Sequence, residues 1–382
     1  MSDAFDPSAH LTDDLLERIR RRAPQIDRDN AFPHADLEDL REAGYLSILT
    51  PTELGGAGLT LEQASVLQQR LATGAPATAL AVNMHLVWTA VAKILQDRGD
   101  DALRFVQRGA AHGEVYAFGI SEAGNDLVLF GSTTNAQPTG TGYAFTGTKI
   151  FTSLAPVWTS LGVHGLDDTD PDHPRLVFAF IEGRDGVVTR DDWDTVGMRG
   201  TQSRTTDLRA ATARTERVVR TVAADGALDV LQFGIFAAFE TLVASVYTGI
   251  AHRAIELAVD ASRTRTSKKS GAPRSEDPLV RARIGDMAIR HDGIVLELAA
   301  LTRDLDSLAD HGAKWFGLLS GAKHRAVTAA ARVVEDAMIV TGGAAFRTAS
   351  ELARLSRDVR AGAFHPSSPD SARQTAAAAW LD

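Results

Sequence analysis

The run from Val230 to Ala251, VLQFGIFAAFETLVASVYTGIA, carries a single charged residue, Glu240. A helix this apolar all round must be enclosed by other parts of the fold. From the residues alone, the carboxylate inside it has two open readings. It is partly desolvated, which raises a carboxyl pKa toward the range of a base working near neutral pH. Otherwise it sits on a solvated edge, or pairs with an arginine from elsewhere.

A chain of 382 residues is long for one core and predicts two or three packed units. Its 44% hydrophobic and 23% charged content is that of an ordinary soluble globular protein. The 49 acidic against 40 basic residues argue against a nucleic-acid binder, whose affinity needs a basic footprint. The absence of cysteine excludes disulfides, thiolate metal sites and cysteine nucleophiles. The first residues, MSDAFDPSAHLTDDLLERIRR, are polar and acidic, without the apolar core of a signal peptide. No run approaches the roughly 18 uninterrupted apolar residues of a membrane span. The cytoplasm is the default compartment, with no membrane partner expected.

The texture changes twice. Residues 1–113 read helical: LTDDLLERIRRRAPQI follows a Thr-Asp-Asp start, HADLEDLREAGYL has apolar residues at helical spacing, and LTLEQASVLQQRLATG ends on a glycine stop. Residues 114–222 read as strands and turns, with β-rich runs such as VYAFGI, YAFTGTKIFTS and RLVFAFIEG divided by PTGTG, DDTDPDHP and GRDG. Residues 223–382 return to long helical segments, broken by SRTRTSKKSGAPRSEDP and by TGG near residue 342.

This order, together with five segments, resembles the acyl-CoA dehydrogenase family over nearly the whole chain. The segments are PTELGGAGLT, FGISEAGND (two residues shorter than the family's form), GTKIFTS, VGMRGTQSRTTDL, and DAMIVTGGAAF followed by LARLSRDVR. The resemblance implies an α+β multidomain fold: an N-terminal α-helical domain, a central small β-barrel or sheet domain, and a C-terminal four-helix bundle. It also implies FAD, held without a dinucleotide-binding glycine fingerprint. Phe118, Ile120 and Ser121 would stand on the first β-strand beside the flavin. Phe151 and Ser153 would present a ring and a hydroxyl from a second strand, the hydroxyl donating to flavin N5 or O2. The plainer alternative for these two is a half-buried strand with alternating Phe and Ser. Asn125 is implied as a substrate contact. Gly342 and Gly343 would admit the adenosine half of an FAD, commonly a neighbouring subunit's, or else form only a helix C-cap. Arg265 would face the pyrophosphate, although its loop departs from the family pattern and reads equally as solvated surface.

Many members carry their catalytic glutamate a few residues after the terminal Arg-Asp. Here Arg357-Asp358 is followed by VRAGAFHPSSPD, which places Pro366 at that position. A smaller group draws its base from the first helix of the C-terminal bundle, and counting brings Glu240 there or one residue beyond. The resemblance then implies α,β-dehydrogenation of an acyl-CoA thioester, with Glu240 as general base, hydride passing to flavin N5, and an electron-transfer flavoprotein as acceptor. The rival is a flavin-dependent monooxygenase of the same fold, using reduced flavin (FMN or FAD) and dioxygen. In that reading His365 stands near the oxygen-reactive face, unless it is only a turn residue. A third reading is a non-catalytic member. A homodimer or homotetramer is implied throughout.

Other candidates fade. His85 lies in an apolar helical stretch and reads as a satisfied core residue. The pairs His164/His173 and His291/His324 lack metal-ligand spacing. The five tryptophans are scattered and read as core or interface anchors.

Overall fold

The computed structural model describes residues 5–224 and 226–381. Thr12 opens α1 (Asp13–Asp29): its hydroxyl accepts from Leu15 N, and Asp13 and Asp14 occupy the first turn, where the helix dipole favours acids. After α2 (His34–Glu42) the glycine-rich connector turns so tightly that a Cβ on Gly56 would lie 2.2 Å from Thr50 O. A Thr60/Gln63 capping box starts α3 (Leu61–Gly74), and Pro76 starts α4 (Pro76–Gln96) at a position where its missing N–H costs nothing. The short α5 (Arg104–Ala111) ends the first helical segment.

The middle of the chain forms β1 (Tyr116–Gly119), β2 (Asn135–Thr139), β3 (Gly142–Thr152), β4 (Ser160–Asp167), β5 (Arg175–Glu182), β6 (Val187–Thr189), β7 (Arg204–Arg214) and β8 (Val218–Ala223). They make one mixed sheet in the order β6-β7-β3-β2-β4-β5-β8, with β1 running parallel to β4. Of the barrel and sheet expected, the structure takes the sheet. Strands β4 and β5 are buried on both faces, which is why they read as continuous apolar runs rather than alternating ones. Trp88 of α4 seals the join: its indole N–H donates to Ala117 O at 3.0 Å, and its ring meets Phe180 edge-on at 4.7 Å.

The apolar run from Val230 to Ala251 becomes the first part of α6 (Val230–Thr264), 35 residues starting from an Asp229/Gln232 capping box. It continues past Ala251 as a more polar helix. α3, α4, α7 (Pro278–Asp306) and α8 (Lys314–Thr341) pack around it. Its contact with α3 is close: a Cβ on Gly249 would lie 2.2 Å from Gln69 O, and the Ser65 and Ser245 hydroxyls bond across at 2.7 Å. α9 (Glu351–Asp358) and α10 (Pro369–Leu381) complete the chain, with α10 lying on α8. By length and composition α4 and α6 are apolar enough to cross a membrane. Instead, 94% and 83% of their most apolar windows are buried within the fold.

Candidate active site

Two cavities meet where the end of β1, the end of β3, α6 and the turn after α9 converge. The larger measures about 530 Å³, the smaller about 180 Å³, and Phe118, Ser121, Phe239 and Pro366 line both. A buried ion pair sets the first two walls side by side. Lys149 of β3 donates to Glu122 Oε1 at 2.6 Å, and both side chains are fully enclosed. Ile150 N also donates to Ser121 O at 2.9 Å. Thus FGISEAGND and GTKIFTS are fastened to each other through their charged residues.

At the end of β3 the pairing with β7 slips between Lys149 and Thr152. Phe151 takes φ 57° there, with half of its surface (53%) uncovered, and lines the larger cavity against the edge of Trp193 at 6.2 Å. A bulky side chain in left-handed backbone is uncommon and marks a constrained position. Next to it, Ser153 belongs to a hydroxyl chain. Thr201 Oγ1 donates to Met198 O at 2.9 Å, Ser203 Oγ donates to Thr201 Oγ1 at 2.7 Å, and the Ser153 and Ser203 hydroxyls bond each other at 2.7 Å. Ser153 ends this chain on the wall of the larger cavity.

The opposite wall is the turn of residues 362–367. Lys323 of α8 donates to Gly362 O at 2.9 Å, to His365 O at 2.8 Å and to Ser367 O at 2.8 Å. Glu240 Oε1 accepts from Ser367 N and Ser367 Oγ, both at 2.8 Å, while Glu240 Oε2 is buried without a partner. Burial pushes the Glu240 carboxyl up to about 7 against the opposing pull of the Lys323 ammonium. Burial likewise lowers the Lys323 ammonium to about 8. Tyr247, two helical turns beyond Glu240, bonds His365 Nε2 at 2.8 Å. Burial and then the Lys323 charge hold the His365 imidazole down at about 3, so it is neutral at pH 7. His365 and Pro366 line the larger cavity; Glu240 lines the smaller one.

The VGMRG segment docks on the Arg357-Asp358 pair. Met198 N donates to Asp358 Oδ1 at 2.6 Å, and a Cβ on Gly197 would lie 2.4 Å from Arg357 O. Ile120 joins Ser121 on the smaller cavity. Asn125 is placed differently from its implied role: its amide donates to Glu122 and Gly131 O at 2.9 Å each, and its carbonyl accepts from Leu127 N at 3.0 Å. All of it is spent on holding its own loop, and Asp126 lines the cavity instead. Arg265, Gly342 and Gly343 lie at the other end of α6 from Glu240, roughly 36 Å along the helix. There Arg265 donates to Thr341 O, and nothing lies within 4 Å of a Cβ built on Gly343. His85 is a satisfied core residue: one ring nitrogen meets Leu46 O at 2.7 Å, the other accepts from Tyr116 N at 3.1 Å.

Sequence reasoning missed Trp193, Tyr247, Lys323, Thr201 and Ser203. The dense hydroxyls of RGTQSRTT were the one available signal, since a half-buried strand rarely spends so many without a partner or ligand.

A flavin suits the larger cavity. An uncovered aromatic face, hydroxyls at Ser121 and Ser153, and the exposed Arg360 guanidinium match a planar, polar-edged ring with an anionic tail.

The family models for the acyl-CoA dehydrogenase N-terminal and C-terminal domains match residues 11–104 and 241–368. The chain belongs to the acyl-CoA dehydrogenase family. Within it, the chain is 27% identical to a dibenzothiophene monooxygenase of Rhodococcus qingshengii, over 92% of this chain and 88% of that protein. It is 25% identical to the mitochondrial short-chain specific acyl-CoA dehydrogenase of Bos taurus, over 88% and 80%. Among solved structures it superposes on KijD3 in complex with FMN and an amino-sugar nucleotide with a TM-score of 0.86 at 25% identity, covering 100% of this chain and 95% of that one. This branch of acyl-CoA dehydrogenase relatives thus includes both dehydrogenases and monooxygenases.

Proposed function

We propose that this acyl-CoA dehydrogenase family member is a flavin-dependent monooxygenase that oxidises an apolar, uncharged substrate with dioxygen. The observation that carries this reading is the identity of the side chain on the larger cavity. A neutral imidazole, His365, hydrogen-bonded to a buried phenol, lines the larger cavity, and Pro366 occupies the usual glutamate position. Charge supports it. Among the described residues lining the smaller chamber there is no lysine or arginine, and the two ionisable ones, Asp126 and Glu240, are acids. The phosphates of a coenzyme A thioester would meet no cation there.

Bound reduced flavin would supply the two electrons that let dioxygen oxidise the substrate, one oxygen atom going to product and the other to water. The chain's own part is to enclose and orient. Phe118, Phe236 and Phe239 form a dry wall that keeps bulk water from the reacting centre. The neutral imidazole of His365, oriented by the Tyr247 hydroxyl at 2.8 Å, offers a hydrogen-bonding group to the larger cavity. FMN suffices in this reading, because the residues implied for the adenosine half, Gly342, Gly343 and Arg265, lie at the far end of α6, roughly 36 Å along the helix from Glu240. FAD would require Gly342, Gly343 and Arg265 from a neighbouring copy in a dimer or tetramer.

A second reading, thioester dehydrogenation, is favoured by one observation: Glu240 has an unpartnered oxygen and a carboxyl raised to about 7, as a general base requires. Electrons would then leave to an electron-transfer flavoprotein. The two are separated by isotope. With reduced FMN, ¹⁸O₂ and a panel of apolar heteroaromatics, the monooxygenase reading requires one ¹⁸O in a product. Label in hydrogen peroxide alone, across the panel, would overturn it.

A further inference from the structure

We propose that His252 of α6 and His291 of α7 form a binding site for a late first-row transition-metal dication, such as Zn²⁺, that pins the two helices together. The site is separate from the cavities described above, roughly 18 Å along α6 from Glu240. It opens on another cavity, of about 560 Å³, walled by α1, α3, α6 and α7 and lined by both histidines and Glu256. His252 Nδ1 and His291 Nε2 face each other at 3.3 Å, with the ring centroids 5.1 Å apart.

What stands behind each ring decides what fits between them. His291 Nδ1 is 3.0 Å from Asp292 Oδ1, and His252 Nε2 is 3.4 Å from Glu256 Oε1. A carboxylate only accepts, so each one favours the tautomer that carries its proton on the outward nitrogen. A neutral imidazole has a single N–H, which leaves two lone pairs opposed across the gap. That arrangement is repulsive until a cation enters it. The separation suits one: two Zn–N bonds of about 2.0–2.1 Å at a tetrahedral angle place their nitrogens about 3.3 Å apart. A carboxylate behind the imidazole is also what orients a histidine ligand and raises its basicity. The surrounding charge does not oppose a dication. Of the cavity's arginines, Arg20 pairs with Glu17 at 2.9 Å and Arg70 with Asp13 at 2.5 Å. Among the described residues no third histidine or acid completes a cage, so water fills the remaining positions. Two imidazoles select Cu²⁺, Ni²⁺ and Zn²⁺ over Mg²⁺ and Ca²⁺, which take oxygen ligands.

The test is calorimetric titration of the full chain with Zn²⁺, and separately with Mg²⁺, in the parent, His252→Ala, His291→Ala, Asp292→Ala and His173→Ala proteins. The parent is expected to bind one Zn²⁺ per chain, to melt at a higher temperature with it, and to ignore Mg²⁺. Each of the two ligand variants should lose that binding while melting like the metal-free parent; His252 is half exposed, so its removal spares the fold. Asp292→Ala should weaken binding about tenfold, the usual cost of losing a partner behind a ligand. His173, an exposed histidine beside Asp170, is the control and should change nothing. X-ray absorption at the zinc edge should show two imidazole nitrogens with oxygen neighbours. Equal Zn²⁺ affinity in all five proteins would put the ion elsewhere and overturn the proposal. No binding by the parent would overturn it as well, leaving a proton shared between the two rings.

Discussion

Glu240 and Lys323 hold opposite poles of one residue. Ser367 N–H donates to Glu240 Oε1 and Ser367 C=O accepts from Lys323 Nζ, each at 2.8 Å, from helices α6 and α8 respectively. Lys323 also takes the carbonyls of Gly362 and His365, so a turn with little secondary structure of its own is fixed from below by two buried charges. That turn delivers His365 and Pro366 to the larger cavity.

Replacing Lys323 by Met should therefore destabilise the protein strongly. Three carbonyls lose their donor and the nearby Glu240 loses its opposing charge, a loss of about 3 kcal/mol on the scale of broken buried pairs. Urea denaturation of the two proteins checks it; a difference under about 0.5 kcal/mol would mean that the turn holds itself.

The raised Glu240 pKa makes a signed prediction about pH. Between about 4.5 and about 7 the unfolded chain has released this proton while the folded chain still holds it. The folded state therefore loses stability as pH rises through that window, by about 3 kcal/mol if Glu240 acts alone. Glu240→Gln keeps an acceptor for Ser367 N and cannot titrate. The stability difference between parent and variant should thus shift against the parent from pH 4.5 to pH 7.5. A constant difference would place the carboxyl in its ordinary range.

Phe151 is predicted to matter for the ligand and little for the fold. Its ring is half uncovered and its backbone is left-handed, so Phe151→Ala should leave the melting temperature near the parent value while weakening FMN binding roughly tenfold, the worth of a stacked aromatic face. Calorimetry and fluorescence titration together distinguish this from a packing role.

How much of this was visible in the sequence depends on the range of the interaction. Local chemistry was legible: Thr12 as a helix cap, the enclosed α6, and the odd position of Glu240 follow from neighbours within a few residues. The family segments fixed which strands flank the cavity. What stayed hidden was made by long-range pairing. Lys323 lies in GAKHRAV, which reads as a solvated basic patch until α8 turns it inward onto a turn some 40 residues later. Tyr247 reads as one more apolar residue of α6 until His365 meets it. Ser153 meets its hydroxyl partner Ser203 only when β3 and β7 pair, 50 residues apart in the chain. Asn125 was misjudged for the converse reason: a polar side chain in a functional-looking turn was already used up by that turn.

His365→Ala should leave FMN affinity close to the parent value, yet lower product formed per flavin oxidised by about 10²-fold, with dioxygen diverted to hydrogen peroxide. Tyr247→Phe, which removes only the partner of the imidazole, should give a smaller loss in the same direction. Coupling efficiency in a stopped assay with limiting reduced FMN reads both. Unchanged coupling in both variants would leave His365 a turn residue.

The central claim is that the cavity serves oxygen chemistry on an apolar molecule rather than thioester oxidation. Anaerobic titration of the flavin-loaded protein with straight and branched acyl-CoA thioesters tests it most directly, read at the yellow flavin band. The account predicts no bleaching by any thioester. Rapid bleaching by one of them, abolished in Glu240→Gln, would contradict it and make Glu240 the base of a dehydrogenase.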